Sequence, residues 1–147
     1  MKRIAASDKR TSFVGSHFFY EDVSGRNTNE DEHELVDVTE TYYILNNTPK
    51  EPENVEFANY KMWIHRDTFM PIQTEYYNER GEAYRRYTVL EVERPEGFIT
   101  VTKSKMEDLR GGGHTTIEYS DVEYDVDLPK DIFTERYLRK PPMEFIK

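Results

Sequence analysis

The 147-residue chain contains no cysteine, which excludes a disulfide framework, a thiol nucleophile and any metal site with cysteine ligands. It also lacks an apolar run close to the ~20 residues that a membrane-spanning helix needs. Basic clusters are absent too, since 20 Lys and Arg stand against 29 Asp and Glu, for a formal net charge of −9. Binding to nucleic acid or to an anionic membrane surface depends on clustered basic residues, so neither is an expected partner.

Aromatic residues compensate for a low apolar content. Only 36% of the residues are hydrophobic and the mean hydropathy is −0.89, but the chain carries eleven Tyr, eight Phe and one Trp. Tyrosine combines a large apolar ring with a polar tip, so it suits a sheet face that is partly in contact with water. A chain of this length is expected to form a single domain, residues 1–147.

Residues 61–125 are typical of an antiparallel β-meander with five strands. Four turn signals separate the strands: Arg66–Met70, Asn78–Gly81, Arg94–Gly97 and Gly111–Gly113. Glycine supplies the positive φ that three of these turns require, and proline fixes φ near about −65° in the third turn. The regular spacing of the turns predicts that consecutive strands are neighbours in one sheet.

Two further strands are predicted before the meander, at His33–Val38 and Thr41–Asn47, so the sheet region occupies residues 33–125. The apolar residues alternate imperfectly along these strands. A tightly packed two-sheet sandwich requires cleaner alternation, so the pattern favours a curved sheet with one partly exposed surface. The predicted fold class is mainly β, a curved antiparallel meander of about seven strands with one or two short helices.

The two ends of the chain are predicted to lie outside the sheet. Residues 1–32 form an irregular N-terminal segment with one short helical turn, which Ser16 caps, which runs toward Asp22 and which Ser24–Gly25 ends. Residues 126–147 form a short C-terminal helix, with Pro129 at its first position, and a tail.

The hairpin around Gly81 allows a prediction of strand register. Pairing across this turn places Tyr76 opposite Tyr84. On the other face, Glu75 then lies beside Arg85 as an opposite-charge pair. The register predicts that a set of apolar and aromatic side chains shares one face of the sheet: Ile72, Tyr76, Leu90 and Val92.

No pattern of catalytic or metal-binding residues stands out. None of the four histidines lies two or four positions from another in the chain (His17, His33, His65 and His114). The acidic stretch at residues 30–34 lacks the spacing of a calcium loop. No serine lies in a G-x-S-x-G turn, and no Lys-Ser/Thr pair follows the glycine run as it would in a phosphate-binding loop. The sequence therefore predicts a non-enzymatic protein without a metal or other cofactor.

Three parts of the chain carry a family resemblance. They are Gly15–Gly25, Met62–Asn78, and the stretch His114–Val122 with the ending Leu128–Leu138. Together they resemble the outer-membrane lipoprotein-sorting protein family, the LolA-like group of bacterial envelopes, in the family's order and over nearly the whole chain. The resemblance implies an incomplete β-barrel whose apolar concave face holds acyl chains, in the periplasm or cell envelope.

The resemblance also indicates partners and a site. Lipid acyl chains or a lipoprotein are the expected ligands, and burial of each CH₂ group stabilises a bound acyl chain by ~0.8 kcal/mol. We expect the concave-face contacts to come from Ile64, Ile72, Tyr76, Leu90 and Val92. Family members usually carry an export signal, a long helix and early strands that this chain does not show, so it is interpreted as N-terminally shortened. Met1–Ser7 begins with basic residues but has no apolar stretch behind them, unlike a signal peptide.

Two alternatives remain open at this point. A barrel that lacks part of its wall exposes apolar surface, which proteins commonly cover by association. The first alternative is therefore a protein-interaction or self-associating structural domain that forms a homo-oligomer and binds no small ligand. A catalytic role would require His17, His65 and acidic groups to converge in one cleft.

Overall fold

The computed structural model describes residues 6–140 and 142–143 of the chain. Within these residues, seven strands form one antiparallel sheet in which every strand pairs with its neighbours in sequence, and the two edge strands do not meet to close a barrel. The strands are β1 (Asp31–Val38), β2 (Tyr42–Pro49), β3 (Asn59–His65), β4 (Pro71–Tyr77), β5 (Ala83–Glu93), β6 (Thr100–Asp108) and β7 (His114–Glu118). The predicted mainly-β meander of seven strands is therefore confirmed.

The four turns of the meander lie where the turn signals predict them. At the turn between β4 and β5, the Asn78 side-chain oxygen accepts hydrogen bonds from the backbone N–H groups of Arg80 and Glu82 at 2.9 and 3.0 Å. Gly81 completes this turn with φ of 75°, which a side chain with a Cβ rarely adopts. The last strand ends at Glu118, earlier than the predicted end of the sheet region at residue 125.

The predicted register of the β4–β5 hairpin is wrong by one residue. Tyr76 pairs with Arg85 rather than with Tyr84, because a β-bulge next to Tyr77 inserts an extra residue on the β5 side. A one-residue shift moves every following side chain to the other face of the strand. The opposite-charge pair consequently forms between Glu75 and Arg86, with 2.8 Å between Oε1 and Nε.

Irregularities of this kind recur across the sheet. Pairing also shifts in β1 after Leu35, in the β3–β4 pair beside Ile64, and twice in β5 between Val89 and Val92. Each bulge bends its strand and increases the local twist. We call the side that carries Tyr60, Tyr76, Arg85 and Met106 the inner face, because the N-terminal segment packs against it.

The N-terminal segment contains more regular structure than its polar sequence predicts. It has a 3₁₀ turn at Ala6–Arg10, helix α1 at Tyr20–Ser24, and a 3₁₀ turn at Thr28–Glu30. The predicted end of the helix at Gly25 is confirmed, with φ of 76°. The predicted cap at Ser16 is wrong, because Phe19 occupies the N-cap position. The backbone N–H of Phe19 donates a hydrogen bond to the carboxylate of Asp22 at 2.6 Å.

The C-terminal part consists of two short pieces instead of one helix. A 3₁₀ turn at Lys130–Phe133 follows Pro129, and helix α2 occupies Glu135–Arg139. Pro129 therefore lies just before the turn, rather than at the first position of the helix. The tail beyond residue 143 lies outside the described residues.

A buried ionic cluster fixes the end of the N-terminal segment to the sheet. The Asp31 side chain has 0% exposure, and the guanidinium group of Arg26 donates to both of its oxygens at 2.7–3.0 Å. The hydroxyl of Tyr60 donates to the same carboxylate at 2.7 Å. Burial by itself raises the pKa of Asp31, but the hydrogen bonds from Arg26 and Tyr60 outweigh burial and hold that pKa below its ordinary value.

The cluster predicts an acid-sensitive stability that depends on Asp31. Replacing Asp31 with Asn removes the fully buried carboxylate that pairs with Arg26 and leaves only the more exposed partners Glu21 and Glu30, so we expect a loss of about 2–3 kcal/mol in the free energy of unfolding at pH 7. Since the folded-state pKa of Asp31 is lowered, its stabilisation is complete above pH 3.8 and is lost as the pH falls further. Urea unfolding at several pH values measures both effects.

The matched control is Glu118→Gln, which weakens an exposed ion pair with Lys103 and should cost at most about 1 kcal/mol. Equal losses in the two variants, or a constant difference between wild type and Asp31→Asn down to pH 3, would contradict the assignment.

Candidate functional site

The N-terminal segment lies across the inner face and leaves a hollow on each side of itself. The first hollow has a volume of about 520 Å³ and the second about 630 Å³. Asp22 and Tyr76 line both hollows, whereas Phe19 lines the first and Phe18 lines the second. Helix α1 and the residues just before it therefore divide a single sheet surface into two compartments.

Apolar and aromatic side chains form most of the first hollow. They come from β2, β3, β4 and the loop before β3: Leu45, Phe57, Tyr60, Met62, Ile64 and Tyr76. The rings of Phe57, Tyr60 and Tyr76 contact one another with centroids 5.3–5.7 Å apart, distances at which aromatic pairs attract beyond simple burial. Val55 and Tyr84 join the same packed cluster. One wall of the hollow is thus a rigid aromatic core.

The phenol groups in this wall remain protonated at ordinary pH. Burial raises the pKa of Tyr60 and of Tyr76 well above the usual tyrosine range, and it raises the pKa of Tyr84 to about 12. A neutral phenol donates one hydrogen bond and accepts others, but it is not a base. The wall therefore offers hydrogen-bond donors at a few points in an otherwise apolar surface.

Arg85 provides the main polar contact between the sheet and helix α1. It is only 6% exposed, and its Nη2 atom forms an ion pair with the carboxylate of Asp22. Its guanidinium carbon lies 3.7 Å from the ring centroid of Phe19 and 5.1 Å from that of Tyr76. Stacking on aromatic faces suits the planar guanidinium group and shields the ion pair from water.

The sequence-predicted site residues occupy different surroundings. Ile64 and Tyr76 line the first hollow, and Ile72 is half-buried next to Pro71, which also lines it. Leu90 and Val92 line neither hollow and are 44% and 45% exposed. They lie where β5 shifts register twice, so simple alternation does not fix their orientation. Contact of these five residues with a ligand stays a prediction.

Several residues of the site were not found from the sequence. Asp22, Arg26, Phe57 and Arg85 belong to segments far apart in the chain, and the Asp22–Arg85 contact joins residues 63 positions apart. The alternation of apolar and polar residues along a strand cannot indicate contacts between distant segments. The usable signal was the acidic pair Glu21–Asp22, which directly follows the aromatic run Phe18–Tyr20, because a carboxylate beside buried aromatic rings requires a cationic partner.

Three of the histidines contact separate neighbours. The Nδ1 of His17 lies 2.8 Å from the hydroxyl of Thr115, and that of His65 lies 3.2 Å from the hydroxyl of Thr68. His33 contacts Asn47 at 2.6 Å. Within residues 6–140 and 142–143, no three His, Asp or Glu side chains are placed to hold a metal ion. No helix in the described part of the chain is long and apolar enough to cross a membrane.

A protein-family model described as "Uncharacterized protein" matches residues 1–140. No curated protein sequence shows significant similarity to the chain. Among solved structures, a DUF1329 family protein from Desulfovibrio piger is 28% identical, with a TM-score of 0.82 over 93% of this chain and 59% of that one.

Two other solved structures share the fold at lower identity. A domain assigned as outer membrane lipoprotein-sorting protein from Vibrio parahaemolyticus is 21% identical, with a TM-score of 0.83 over 95% of this chain and 61% of that one. A LolA superfamily protein from Nitrosomonas europaea is 24% identical, with a TM-score of 0.67 over 85% and 59% of the two chains. The chain spans about three fifths of the length of each of the three structures.

The Asp22–Arg85 pair predicts how the N-terminal segment is retained. Replacing Asp22 with Ala leaves a buried guanidinium group without a counter-charge and removes the acceptor for the Phe19 N–H. We expect a loss of about 3 kcal/mol in the free energy of unfolding, with the earliest effect in residues 11–26. Hydrogen exchange followed by mass spectrometry should show faster exchange there, while strands β3–β6 keep their protection.

Glu135→Ala is the control, because Glu135 forms an exposed ion pair with Arg139 within α2 and its loss should be close to neutral. Unchanged protection of residues 11–26 in Asp22→Ala would show that other contacts hold the segment.

Proposed function

Because the chain belongs to the family whose model spans residues 1–140 and has the LolA-like fold, we propose that it is a non-enzymatic carrier-like domain that binds an acyl chain of a lipid or lipoprotein in the first hollow. The resemblance inferred from the sequence is confirmed for the fold. The proposed setting is the periplasm or cell envelope, in keeping with one structural neighbour described as an outer membrane lipoprotein-sorting protein domain and another described as a LolA superfamily protein.

The observation that carries this proposal is the apolar character of the first hollow. Its volume of about 520 Å³ lies in the range of ~300–1,000 Å³ common for small-molecule sites. An acyl chain gains ~0.8 kcal/mol for each CH₂ group removed from water and needs few directional contacts. A surface of Leu45, Met62 and Ile64 backed by an aromatic cluster satisfies that requirement.

The charged groups around the hollow support binding rather than proton transfer. Asp22 is paired with Arg85, and Glu21 is paired with Arg26 at 3.0 Å. A carboxylate whose oxygen is held by a guanidinium group is not free to accept a proton from a ligand, although burial raises the pKa of Glu21 above its ordinary value against the effect of Arg26. These pairs instead hold the N-terminal segment over the sheet and shape the walls of the hollow.

A second candidate function rests on edge strand β1. This strand pairs with β2 on one side only, and it exposes three apolar side chains: Leu35, Val36 and Val38. Unpaired strand edges with apolar side chains pair readily with other chains. An interaction or self-associating domain, including a homo-oligomer, would use this edge; light scattering after size exclusion distinguishes it from a monomeric carrier.

The acyl-chain proposal predicts the effect of filling the first hollow. Ile64→Trp adds bulk to a side chain that lines the hollow, so we expect at least a tenfold weaker affinity for a fluorescent fatty-acyl probe, since an overfilled site can accept a chain only by displacing packed neighbours. Fluorescence titration of purified protein measures the dissociation constant.

Ile44→Trp is the matched control. Ile44 pairs with Trp63, the residue before Ile64 on β3, and therefore points away from the inner face. Wild-type protein that binds no acyl probe and carries no co-purifying lipid in native mass spectrometry would refute the proposed function. Equal losses of affinity in both tryptophan variants would show that the acyl probe does not bind in the first hollow.

A further inference from the structure

Two consecutive residues of β5 both line the first hollow. The bulge beside Tyr77 lets Tyr84 and Arg85 occupy neighbouring positions there, although successive residues of a regular strand face opposite sides. Tyr84 is 3% exposed, and Arg85 is buried to a similar degree. The bulge that shifts the register by one residue from the prediction thus places two polar groups side by side in an apolar wall.

Each of these side chains has a buried hydrogen-bond donor that is not used. Within the described part of the chain, neither the hydroxyl of Tyr84 nor the Nε–H of Arg85 meets an acceptor. The guanidinium group of Arg85 lies close enough to the Tyr84 hydroxyl to lower the pKa of Tyr84 by its charge and by a hydrogen-bonding interaction, against the larger effect of burial, but the geometry of this contact satisfies neither the Tyr84 hydroxyl nor the Nε–H of Arg85. Buried polar groups in native proteins are nearly always satisfied, so two adjacent unsatisfied donors indicate an acceptor that comes from a ligand.

The charge around these donors indicates what kind of acceptor fits. The positive charge of Arg85 is already balanced by Asp22, and that of Arg26 by Glu21. Glu56 adds a third acidic side chain to the lining. With three acidic and two basic side chains, this lining carries a net negative charge, and a carboxylate or phosphate beside Tyr84 would enter a poorly hydrated site whose cations are already paired. An uncharged carbonyl oxygen accepts two hydrogen bonds without adding negative charge to the site.

We propose that Tyr84 and Arg85 bind the carbonyl oxygen of an ester or amide, so that the first hollow selects esterified or amide-linked acyl groups over free fatty acids and plain hydrocarbons. This inference rests on the proposed acyl-chain function and assigns its ligand class. The carbonyl lies at the two donors, and the chain that follows it runs along the apolar wall of Leu45, Met62 and Ile64.

The test compares two uncharged amphiphiles that differ only in the carbonyl group. A 1-monoacylglycerol has an ester carbonyl, and the 1-O-alkylglycerol of the same chain length has a CH₂ in its place. We expect the ester to bind wild-type protein about tenfold more tightly by calorimetry, since one donor is charged and such hydrogen bonds are the stronger class. The fatty acid of the same length should bind more weakly than the ester at pH 7.5.

Two variants test whether Tyr84 and Arg85 cause the preference for the ester over the ether. Tyr84→Phe removes the hydroxyl with little change of shape, so the ester should lose most of its advantage while the ether keeps its wild-type affinity. Arg85→Lys keeps a cation for Asp22 but removes the Nε–H, with the same expected result. Tyr87→Phe is the matched control, because Tyr87 lines only the second hollow and its loss should leave the ester preference intact.

The outcomes separate this inference from the proposed function. If neither amphiphile binds, the acyl-binding function itself is wrong. If ester and ether bind equally, or if Tyr84→Phe retains the full ester preference, acyl binding stands and the carbonyl assignment is overturned. A fatty acid that binds more tightly than the ester also overturns it, because the site would then be an anion site.

Discussion

Two buried ion pairs hold the N-terminal segment on the sheet, and the candidate site depends on them. Arg26 binds the fully buried carboxylate of Asp31, and Asp22 binds Arg85 between aromatic rings. A buried charge without its partner is strongly unfavourable, whereas the intact pair tolerates burial when its hydrogen bonds are satisfied. The pairs therefore act as a positional constraint: they keep α1 over the inner face, where it forms one wall of each hollow.

β-Bulges provide the second constraint, because they decide which side chains face inward. Along a regular strand, Tyr84 and Arg85 would lie on opposite sides of the sheet. The bulge at Tyr77 brings both to the first hollow, and the shifts near Val89 leave Leu90 exposed. Bulges bend strands as well as redirecting side chains. The curvature of the open sheet and the chemistry of its inner surface therefore share one cause.

The structure supports a binding role through the contrast between an apolar hollow and a small number of polar points. Most of the wall around Met62 and Ile64 is apolar, and in the proposed function a flexible chain would gain affinity there from removal of its surface from water. The aromatic cluster behind that wall limits its deformation, since packed interiors resist small changes of volume. Selectivity then depends on the few polar groups, as in most small-molecule sites.

The amino-acid sequence by itself determined the open meander, because turn chemistry is local. Gly81 and the other turn residues require particular φ values that only a few residue types adopt, and the alternation between them marked seven strands. Tertiary structure alone decided the site. The register next to Tyr76 depends on a bulge with no sequence signature, and the contact of Asp22 with Arg85 joins distant segments. Such contacts form only where packing and charge are satisfied together in three dimensions, and a linear pattern does not contain that information.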